Sequence, residues 1–275
     1  MRIVGRVVSY VVLVIIGLLG IAPFLYLALM STKTRLDILE VPPALSFDWE
    51  TIKANYDVVI NDDNFLTMIK NSIIVTGLST LLALLIGVPA AYAFSRLRFR
   101  GREQWSTTIL SFRFMPPVAV AIPIFLMMRQ IGFEDSFTGL ILPYVAFSLP
   151  LTVWIMIGFF DEIPRELDDA ALVDGASRFG ALVRVLLPLA RPGMVVAAIF
   201  GVIFIWNEFL VGLYVITSPD KQTVPIGASG LLTTQSPIDW NIAAGVGVLT
   251  TIPILIFSIF VQRYIVRGMT AGAIR

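Results

Sequence analysis

The sequence contains no cysteine and no histidine, and only 14% of its 275 residues are charged. The missing cysteines exclude disulfides, thiolate catalysis and cysteine-ligated metal sites. The missing histidines remove the commonest general base and metal ligand of proteins. Soluble domains carry roughly a quarter charged residues. A chain that is 57% hydrophobic cannot cover its surface with polar groups, so it belongs in a bilayer.

Six long apolar segments are each long enough to span a membrane. Crossing about 30 Å of hydrocarbon takes roughly 20 mostly apolar residues in a helix. The segments are Val7–Met30, Asn71–Ser95, Trp105–Met128, Phe137–Phe160, Gly193–Thr217 and Ile242–Val261. The first is too long for a signal peptide and lacks a clear cleavage site, so we expect an uncleaved helix. The pattern predicts an all-α, polytopic protein with six transmembrane helices, and we treat residues 1–275 as a single transmembrane domain.

Basic residues are distributed unequally between alternate loops. One side of the predicted membrane carries thirteen Lys or Arg residues against seven acids, and the other carries six against eleven. Cytoplasmic loops are enriched in Lys and Arg. We therefore predict that both termini and the loop at residues 161–192 face the cytoplasm of a prokaryotic cell. Ser31–Lys70 and Ser218–Asn241 are then outer loops, and no basic patch suggests nucleic acid as a partner.

The spans contain two charged residues, Arg113 in the third and Glu208 in the fifth. An Arg, Lys or Asp at the centre of a membrane helix costs about 2.5–3.5 kcal/mol on insertion scales, so each should face protein or water. Either residue could line a solute pathway or form a structural polar contact between helices. We assign Arg113, Trp206, Asn207 and Glu208 to the pathway as a working hypothesis. The alternatives are a structural knot at Glu208 and ordinary packing for Trp206.

A charged segment at residues 161–192 separates the fourth and fifth spans. Pro164 suits the first turn of a helix, and Glu166, Asp168 and Asp169 place negative charge near its positive end. Gly175 can take the left-handed conformation that ends a helix. A second helix, roughly Ser177–Leu187, is expected to stop before Pro188. The segment is thus predicted to be a helix–glycine–helix elbow.

An amphipathic helix lying on lipid is the simpler interpretation of this elbow. Such helices carry Lys or Arg on the polar face and bulky apolar residues on the other. Here the first helix is acidic, and Ala170 and Ala171 suggest a shallow surface that lets another backbone approach. Acidic residues are repelled by anionic lipid. A protein socket is therefore the better explanation. A metal site at this acidic cluster is disfavoured because no calcium-loop spacing occurs.

The motif Asp169-Ala170-Ala171-(three residues)-Gly175-Ala176, with Leu187-Pro188-Leu189 and Pro192, resembles the EAA loop of ATP-binding cassette importer permeases. The family usually has Glu at the position of Asp169. Asn71-Ser72, Trp206-Asn207-Glu208 and the tail at Gly268–Ala273 are similar to the carbohydrate-uptake branch, and in particular to the second membrane subunit of the maltose system. Since Trp206-Asn207-Glu208 looks like a feature shared across solutes, we favour a structural role for Glu208.

The resemblance implies a type I ABC importer permease fold and a division of roles along the chain. The elbow would dock on an ABC ATPase dimer, and a solute-binding protein would contact the outer loop 218–241. The tail Met269–Arg275 would reach toward the ATPase. The residues that would contact or position the ATPase are Glu166, Asp168, Asp169, Ala170, Ala171, Asp174, Gly175, Ala176, Arg178 and Pro188.

The energy source is expected to lie outside this chain. The sequence has no G-x-x-x-x-G-K-[ST] motif, so it lacks the phosphate cradle of a P-loop ATPase. We expect a non-catalytic permease without a cofactor or metal of its own, with ATP and magnesium bound by the ATPase partner. Six helices are too few to enclose a solute pathway, so we expect a second, different permease subunit as a partner. Membrane lipid is the other expected neighbour of the spans. An ion-driven transporter and a membrane-embedded enzyme are the alternatives. The transporter is disfavoured by the scarcity of charged groups inside the spans, and the enzyme by the absence of Cys and His as candidate catalytic residues.

Overall fold

The computed structural model describes residues 2–40, 47–61, 63–234 and 239–271, and every regular element in these ranges is helical. This confirms the predicted all-α class. Part of the predicted outer loop, residues 235–238, and part of the predicted tail, residues 272–275, lie outside the described residues.

The chain divides into two compact units, whose boundaries fall inside three of its helices. Unit 1 comprises Met1–Leu66 and Gly227–Leu255, and unit 2 comprises Thr67–Ile226 and Ile256–Arg275. The helices are α1 (Arg2–Met30), α2 (Arg35–Leu39), α3 (Trp49–Ile60), α4 (Asp63–Arg96), α5 (Arg102–Ser111), α6 (Pro117–Gln130), α7 (Phe137–Glu162), α8 (Glu166–Val173), α9 (Arg178–Ala181), α10 (Leu187–Leu189), α11 (Arg191–Trp206), α12 (Leu210–Val215), α13 (Val224–Thr234) and α14 (Trp240–Ala271). The prediction of one transmembrane domain stays a prediction.

In unit 1 a buried asparagine joins three separate segments. The Asn55 amide nitrogen on α3 donates hydrogen bonds to the carbonyl oxygens of Ser31 (3.0 Å) and Lys33 (2.9 Å). Its side-chain oxygen accepts one from Asn241 on α14 at 2.9 Å. A buried amide left without partners is costly, so these bonds fix α3 against the end of α1 and the start of α14. Most apolar side chains of α1 remain exposed, including those of Leu13 and Leu19.

Four described helices are long and apolar enough to cross a membrane: Val7–Met30, Asn64–Arg96, Phe137–Glu162 and Trp240–Gln262. Two further pairs, Arg102–Phe114 with Pro117–Gln130 and Arg178–Leu189 with Arg191–Trp206, pass the same test when each bent pair counts as one span. By length and composition, the described residues therefore hold four helices that could cross a membrane, or up to six if each bent pair is one span. Six spans were predicted, but the second bent pair joins part of the elbow to α11, whereas the predicted fifth span was Gly193–Thr217.

The predicted third and fifth spans are not continuous helices. At residues 112–116 the chain passes from α5 through a 3₁₀ turn, and α6 leaves at 96° to the preceding helix. Pro116 and Pro117 cause this break because proline has no N–H to donate and restricts the residue before it. The fifth span ends as α11 at Trp206 and resumes as α12 at Leu210. The second break falls at the Trp206-Asn207-Glu208 motif that the sequence analysis noted.

Unit 2 has two buried apolar clusters near opposite ends of α7. One contains Tyr92 of α4 and Phe160 of α7, packed with Leu182 and Leu186 of the elbow. The other contains Tyr144 of α7 with residues of α6, α11 and α12. Between α7 and α11, a Cβ at Gly193 would lie 2.5 Å from Cγ of Phe159, so only glycine permits this approach. The elbow is thus part of the packed body of unit 2.

Candidate functional site

The elbow, residues 161–192, begins with a short acidic helix. Backbone bonds from Leu167 to Pro164 and from Asp169 to Arg165 close its first turn. Helix α8 starts at Glu166, so Pro164 precedes the helix and does not sit in its first turn as predicted. The difference is local, because its carbonyl still accepts the first bond.

Gly175 ends this helix by the mechanism that the sequence predicts. Its φ is +83°, in the left-handed region. The Gly175 N–H donates to the carbonyl of Leu172 at 3.1 Å, and the Ala176 N–H donates to that of Ala171 at 3.0 Å. This pair of bonds is a Schellman motif. Ser177 then caps α9, its Oγ accepting from the Gly180 N–H at 3.0 Å.

The sequence analysis predicted that the second helix of the elbow stops before Pro188, and this prediction is wrong. The helix runs from Arg178 to Leu189, with a π turn at Leu182–Leu186, and then turns by 79° into α11. A proline in an α-helix clashes with the carbonyl four residues before it. The wider π turn immediately upstream shifts that carbonyl, which lets the helix continue through Pro188.

The inner face of α8 carries a buried ion pair. Oδ2 of Asp168 lies 2.7 Å from Nε of Arg96, the last residue of α4, and both side chains are nearly inaccessible. The contact is an ion pair without the alignment of a hydrogen bond. The Tyr92 hydroxyl donates to Oδ1 of Asp168 at 3.4 Å, and Nη2 of Arg96 donates to the Ile163 carbonyl at 2.7 Å. The C-terminal end of α4 therefore binds the buried face of α8.

Two further bonds tie the start of the elbow to the same end of α4. Oγ of Ser95 donates to Oδ1 of Asp161 at 2.5 Å. Nη2 of Arg165 donates to the Ser95 carbonyl at 3.4 Å. Together with the buried cluster below it, this makes the elbow a rigid extension of α4 and α7.

The predicted contact residues divide between the two faces of the elbow. The exposed ones are Glu166, Asp169, Ala170, Asp174, Gly175, Arg178 and Pro188, and Ala176 is half-buried. Asp168 and Ala171 point inward, with 8% and 7% of their surface exposed. The expectation that Ala170 and Ala171 share one shallow outer surface is therefore wrong. Adjacent helical positions differ by about 100°, and packing against α4 and α7 takes one of them.

Two exposed apolar residues of the elbow were missed by sequence reasoning. Val173 is 88% exposed and Phe179 is 68% exposed, one on each side of Gly175. The signal was present, because each is a large apolar residue in a segment otherwise rich in charge. Exposed apolar groups on a rigid helix pair, rimmed by carboxylates, are typical of a protein-binding surface.

Glu208 occupies the break between α11 and α12 and is satisfied there. Oε1 accepts from the Val211 N–H at 2.9 Å, and Oε2 accepts from the Tyr144 hydroxyl at 2.6 Å and the Gly212 N–H at 3.3 Å. The residue is 7% exposed. Its carboxylate therefore caps α12 and links it to α7, as the structural alternative predicts. Trp206 is also buried, whereas Asn207 is exposed and donates to the Ile203 carbonyl.

Arg113 lies at the bend between α5 and α6, half-buried, with its guanidinium carbon 4.3 Å from the centroid of the Phe204 ring. It lines a small recess with residues of α7 and α11, namely Phe147, Ser148, Leu151, Thr152, Ala197, Phe200, Gly201 and Phe204. The structure thus brings Arg113 together with two aromatic rings of the fifth span, but not with Glu208.

The loop before α13 is anchored by Asp135, a non-glycine residue with φ of 52°. Its carboxylate accepts bonds from the N–H groups of Thr217 and Ser218, from Oγ of Ser218 and from Nζ of Lys221. Burial acts to raise the pKa of Asp135, but the bonds from Lys221 and Ser218 outweigh it and hold that pKa well below its usual range. The carboxylate is therefore ionised at neutral pH.

Two residues in the N-terminal part of α4 form hydrogen bonds with the same loop. The Asn71 amide nitrogen donates to the carbonyls of Asp220 (2.9 Å) and Gln222 (3.0 Å), and Oγ of Ser72 accepts from the Val224 N–H at 2.8 Å. Helix α4 is therefore bonded to this loop through Asn71 and Ser72, and to the elbow through its last residues.

Comparison with known proteins gives a consistent result. The family model described as binding-protein-dependent transport system inner membrane component matches residues 83–271. The chain is 31% identical to the trehalose/maltose transport system permease protein MalG of Thermococcus litoralis, over 100% of the chain and 98% of that protein. It is 33% identical to the sulfoquinovosyl glycerol transport system permease protein SmoH of Agrobacterium fabrum, over 98% and 94%.

A solved structure shows the same fold. It is a bacterial ABC transporter that imports the acidic polysaccharide alginate, with a TM-score of 0.81, 24% identity and 96% coverage of both chains. At that identity the likeness concerns the fold alone.

Proposed function

The chain belongs to the family of binding-protein-dependent transport system inner membrane components, and from this we propose that it is the permease subunit of an ATP-driven importer for a sugar or sugar-like solute. By their names, the permease relatives MalG and SmoH belong to transport systems for trehalose or maltose and for sulfoquinovosyl glycerol. A saccharide solute is what these two have in common.

One observation supports the proposal most directly: the elbow presents an exposed apolar and acidic surface on a rigid mount. Val173 and Phe179 face outward while Asp168 anchors the same helix to Arg96. A surface that only covered lipid or water would not require this buried ion pair. A lever driven by another protein does require it, because force applied at the outer face must reach the spans without loss.

We infer that a pair of ABC ATPase subunits binds this surface. Closure of the ATPase pair on ATP would displace the elbow, and the contacts of Asp161, Arg165 and Asp168 would carry the movement into α4 and α7. The chain supplies no phosphate-binding motif, so its own role is non-catalytic, with ATP and magnesium held by the partner. Residues 161–192 and both termini then face the cytoplasm.

Two further partners follow from surfaces that this chain leaves open. The exposed apolar side chains of α1 supply an area that lipid and a second, different permease subunit would cover. On the other side, the loop fixed by Asp135, Asn71 and Ser72 leads into α13 and would present it to a soluble solute-binding protein. Arg113 would face the solute pathway, and Glu208 would hold α12 in place.

The proposal is tested by reversing one exposed charge on the elbow. Asp169→Lys is expected to weaken co-purification of the ATPase subunits, because it turns an acidic docking surface into a mixed one without disturbing the buried ion pair. Glu103→Lys is the matched control, since Glu103 is an exposed acid in the first turn of α5, outside the elbow. Its complex should remain intact.

The readout is the ratio of ATPase to permease in the purified complex, together with solute-stimulated ATP hydrolysis. A normal ratio and normal activity in Asp169→Lys, equal to the control, would contradict docking at this face.

A further inference from the structure

Arg113 is a cation inside a predicted span that has no acidic partner among the described residues. Every ion pair in those ranges involves other arginines or a lysine. Its described interaction is with the face of the Phe204 ring, at 4.3 Å. A cation–π contact offsets part of the cost of removing a guanidinium from water, but it leaves the five N–H donors of that group without an acceptor.

The recess next to Arg113 offers polar groups but no carboxylate. The described residues that line it are apolar or aromatic apart from Arg113, Ser148 and Thr152. Oγ1 of Thr152 donates to the Ser148 carbonyl at 3.0 Å. Oγ of Ser148 is buried, at a residue only 5% exposed, and has no hydrogen-bond partner in the described structure. Buried hydroxyls are nearly always paired, so the Ser148 hydroxyl is available to donate to a group that enters the recess.

The size of the recess sets what that group can be. It has a volume of about 10 Å³, close to the least that admits one water molecule. A sugar ring does not fit, whereas a single oxygen atom of a substituent at the edge of a ring does. Phe147 and Phe204 form a T-shaped pair beside it, with centroids 6.3 Å apart. The Arg113 guanidinium already covers one face of Phe204, so Phe147 is the ring of this pair that can support a saccharide while its substituent reaches the cation.

We propose that Arg113 and Ser148 select a saccharide that carries an oxyanion, such as a carboxylate, sulfonate or phosphate. The guanidinium supplies the positive charge and parallel donors that bind such groups, and the Ser148 hydroxyl supplies a further donor. The inference rests on the proposed function, which it narrows from saccharides in general to acidic ones.

The experiment uses the whole importer, reconstituted with its ATPase and its solute-binding protein in proteoliposomes. Uptake is measured for four saccharides: a hexuronate-containing disaccharide, a sulfonated sugar, a phosphorylated sugar and a neutral disaccharide matched to the first. Wild-type importer is expected to take up at least one acidic saccharide faster than the neutral one. The three acidic solutes distinguish which oxyanion is used.

Arg113→Gln is expected to reduce uptake of the preferred acidic saccharide at least about tenfold, since one charge-assisted pair of hydrogen bonds is lost. Arg129→Gln is the matched control. Arg129 ends the same broken span, but its side chain is 65% exposed and its ion pair with Glu134 is a loose 3.5 Å. The control should transport as the wild type does. Ser148→Ala keeps the charge and should reduce acidic uptake less than Arg113→Gln.

Chemical rescue separates charge from structure. Because the chain has no cysteine, Arg113→Cys introduces a unique thiol into it. Modification with aminoethyl methanethiosulfonate restores a positive charge there and should recover acidic uptake, whereas methyl methanethiosulfonate should not. Wild-type importer treated with the same reagents controls for thiols in the other subunits.

Three results would overturn the inference. The wild type transports only neutral saccharides, or Arg113→Gln reduces neutral and acidic uptake equally, or Arg113→Gln loses the second permease on purification. The last result would mean that Arg113 pairs with a carboxylate of that subunit. Uptake of none of the four saccharides by an intact, ATP-hydrolysing complex would instead contradict the saccharide importer itself, and this inference with it.

Discussion

At the scale of single residues, the carboxylate of Asp168 has a role that its position in the sequence does not suggest. An acid in the first turn of a helix is usually explained by the helix dipole. Here the side chain is buried against Arg96 and Tyr92, residues that lie at the far end of another helix. The pair does not need to be a net source of stability, because desolvation offsets much of its attraction. Its effect is to fix the direction of α8.

Asp168→Ala is expected to destabilise unit 2 by about 3–5 kcal/mol, because it leaves the Arg96 guanidinium buried without its counter-charge. The thermal unfolding midpoint in detergent measures the loss. Asp174→Asn, on the exposed end of the same helix, is the control and should stay within about 0.5 kcal/mol of the wild type.

The double variant Arg96→Ala with Asp168→Ala provides the stricter measurement. Residues in direct contact couple, so the double variant should lose clearly less than the sum of the two single variants. Additive losses would mean that the 2.7 Å contact does not hold α8.

At the scale of elements, the elbow depends on one left-handed residue. The left-handed backbone of Gly175 ends α8 and turns the chain toward α9. No atom lies within 4 Å of a Cβ placed at Gly175. Space is therefore not the constraint. The constraint is the positive φ of +83°, which most side chains disfavour and which Asn tolerates better than others.

Gly175→Val is expected to strain this turn by about 1–3 kcal/mol and to misalign α8 against α9. ATP hydrolysis by the assembled importer should persist while the solute taken up per ATP falls severalfold. Gly175→Asn is the matched control and should keep most of the coupling. Both rates are measured on the same proteoliposomes, and equal coupling in the two variants would show that the turn does not transmit the movement.

The broken spans show a second feature of the elements. A helix in lipid must satisfy its own backbone groups, so a break is tolerated only where other groups replace the lost bonds. At the end of α11 the Glu208 carboxylate accepts from the N–H groups that begin α12, and the Tyr144 hydroxyl supplies the remaining donor. A charge that first suggests a solute site here completes a helix terminus.

At the scale of the whole molecule, the orientation of the chain in the membrane follows from the count of Lys and Arg in its loops. The side carrying the elbow has thirteen basic residues, so we predict that it faces the cytoplasm. The natural absence of cysteine makes this testable by single-cysteine labelling without removing any native thiol from the chain.

Val173→Cys is expected to react with a membrane-impermeant maleimide only in inside-out vesicles, and Asp220→Cys only in intact spheroplasts. Both side chains are exposed, so accessibility depends on the side of the membrane alone. The ATPase is stripped first so that it does not cover Val173. Labelling of the two positions from the same side, or with the sides exchanged, would contradict the predicted orientation.

The elbow shows which structural features could be predicted from the sequence and which could not. Gly175 predicts the end of α8, because a glycine in the left-handed conformation acts through its own backbone. Pro188 is less predictable, since a π turn upstream absorbs its effect. Val173 and Phe179 are visible as apolar residues in the sequence, but their exposure is not.

The sequence by itself determines that this chain spans a membrane as helices and that Gly175 ends the first helix of the elbow. The reason is that hydrocarbon forces each backbone to satisfy its own hydrogen bonds, so the signals are local. Only the tertiary structure decides that Asp168 faces inward, that Glu208 accepts from the Tyr144 hydroxyl and that the Arg113 guanidinium lies over the Phe204 ring. Each outcome depends on a partner that is distant in sequence. For example, the hydrogen bond from Tyr92 to Asp168 joins residues that are 76 positions apart. The partner of a buried charged side chain is set by how the helices pack, and that packing cannot be predicted from the sequence of a single segment.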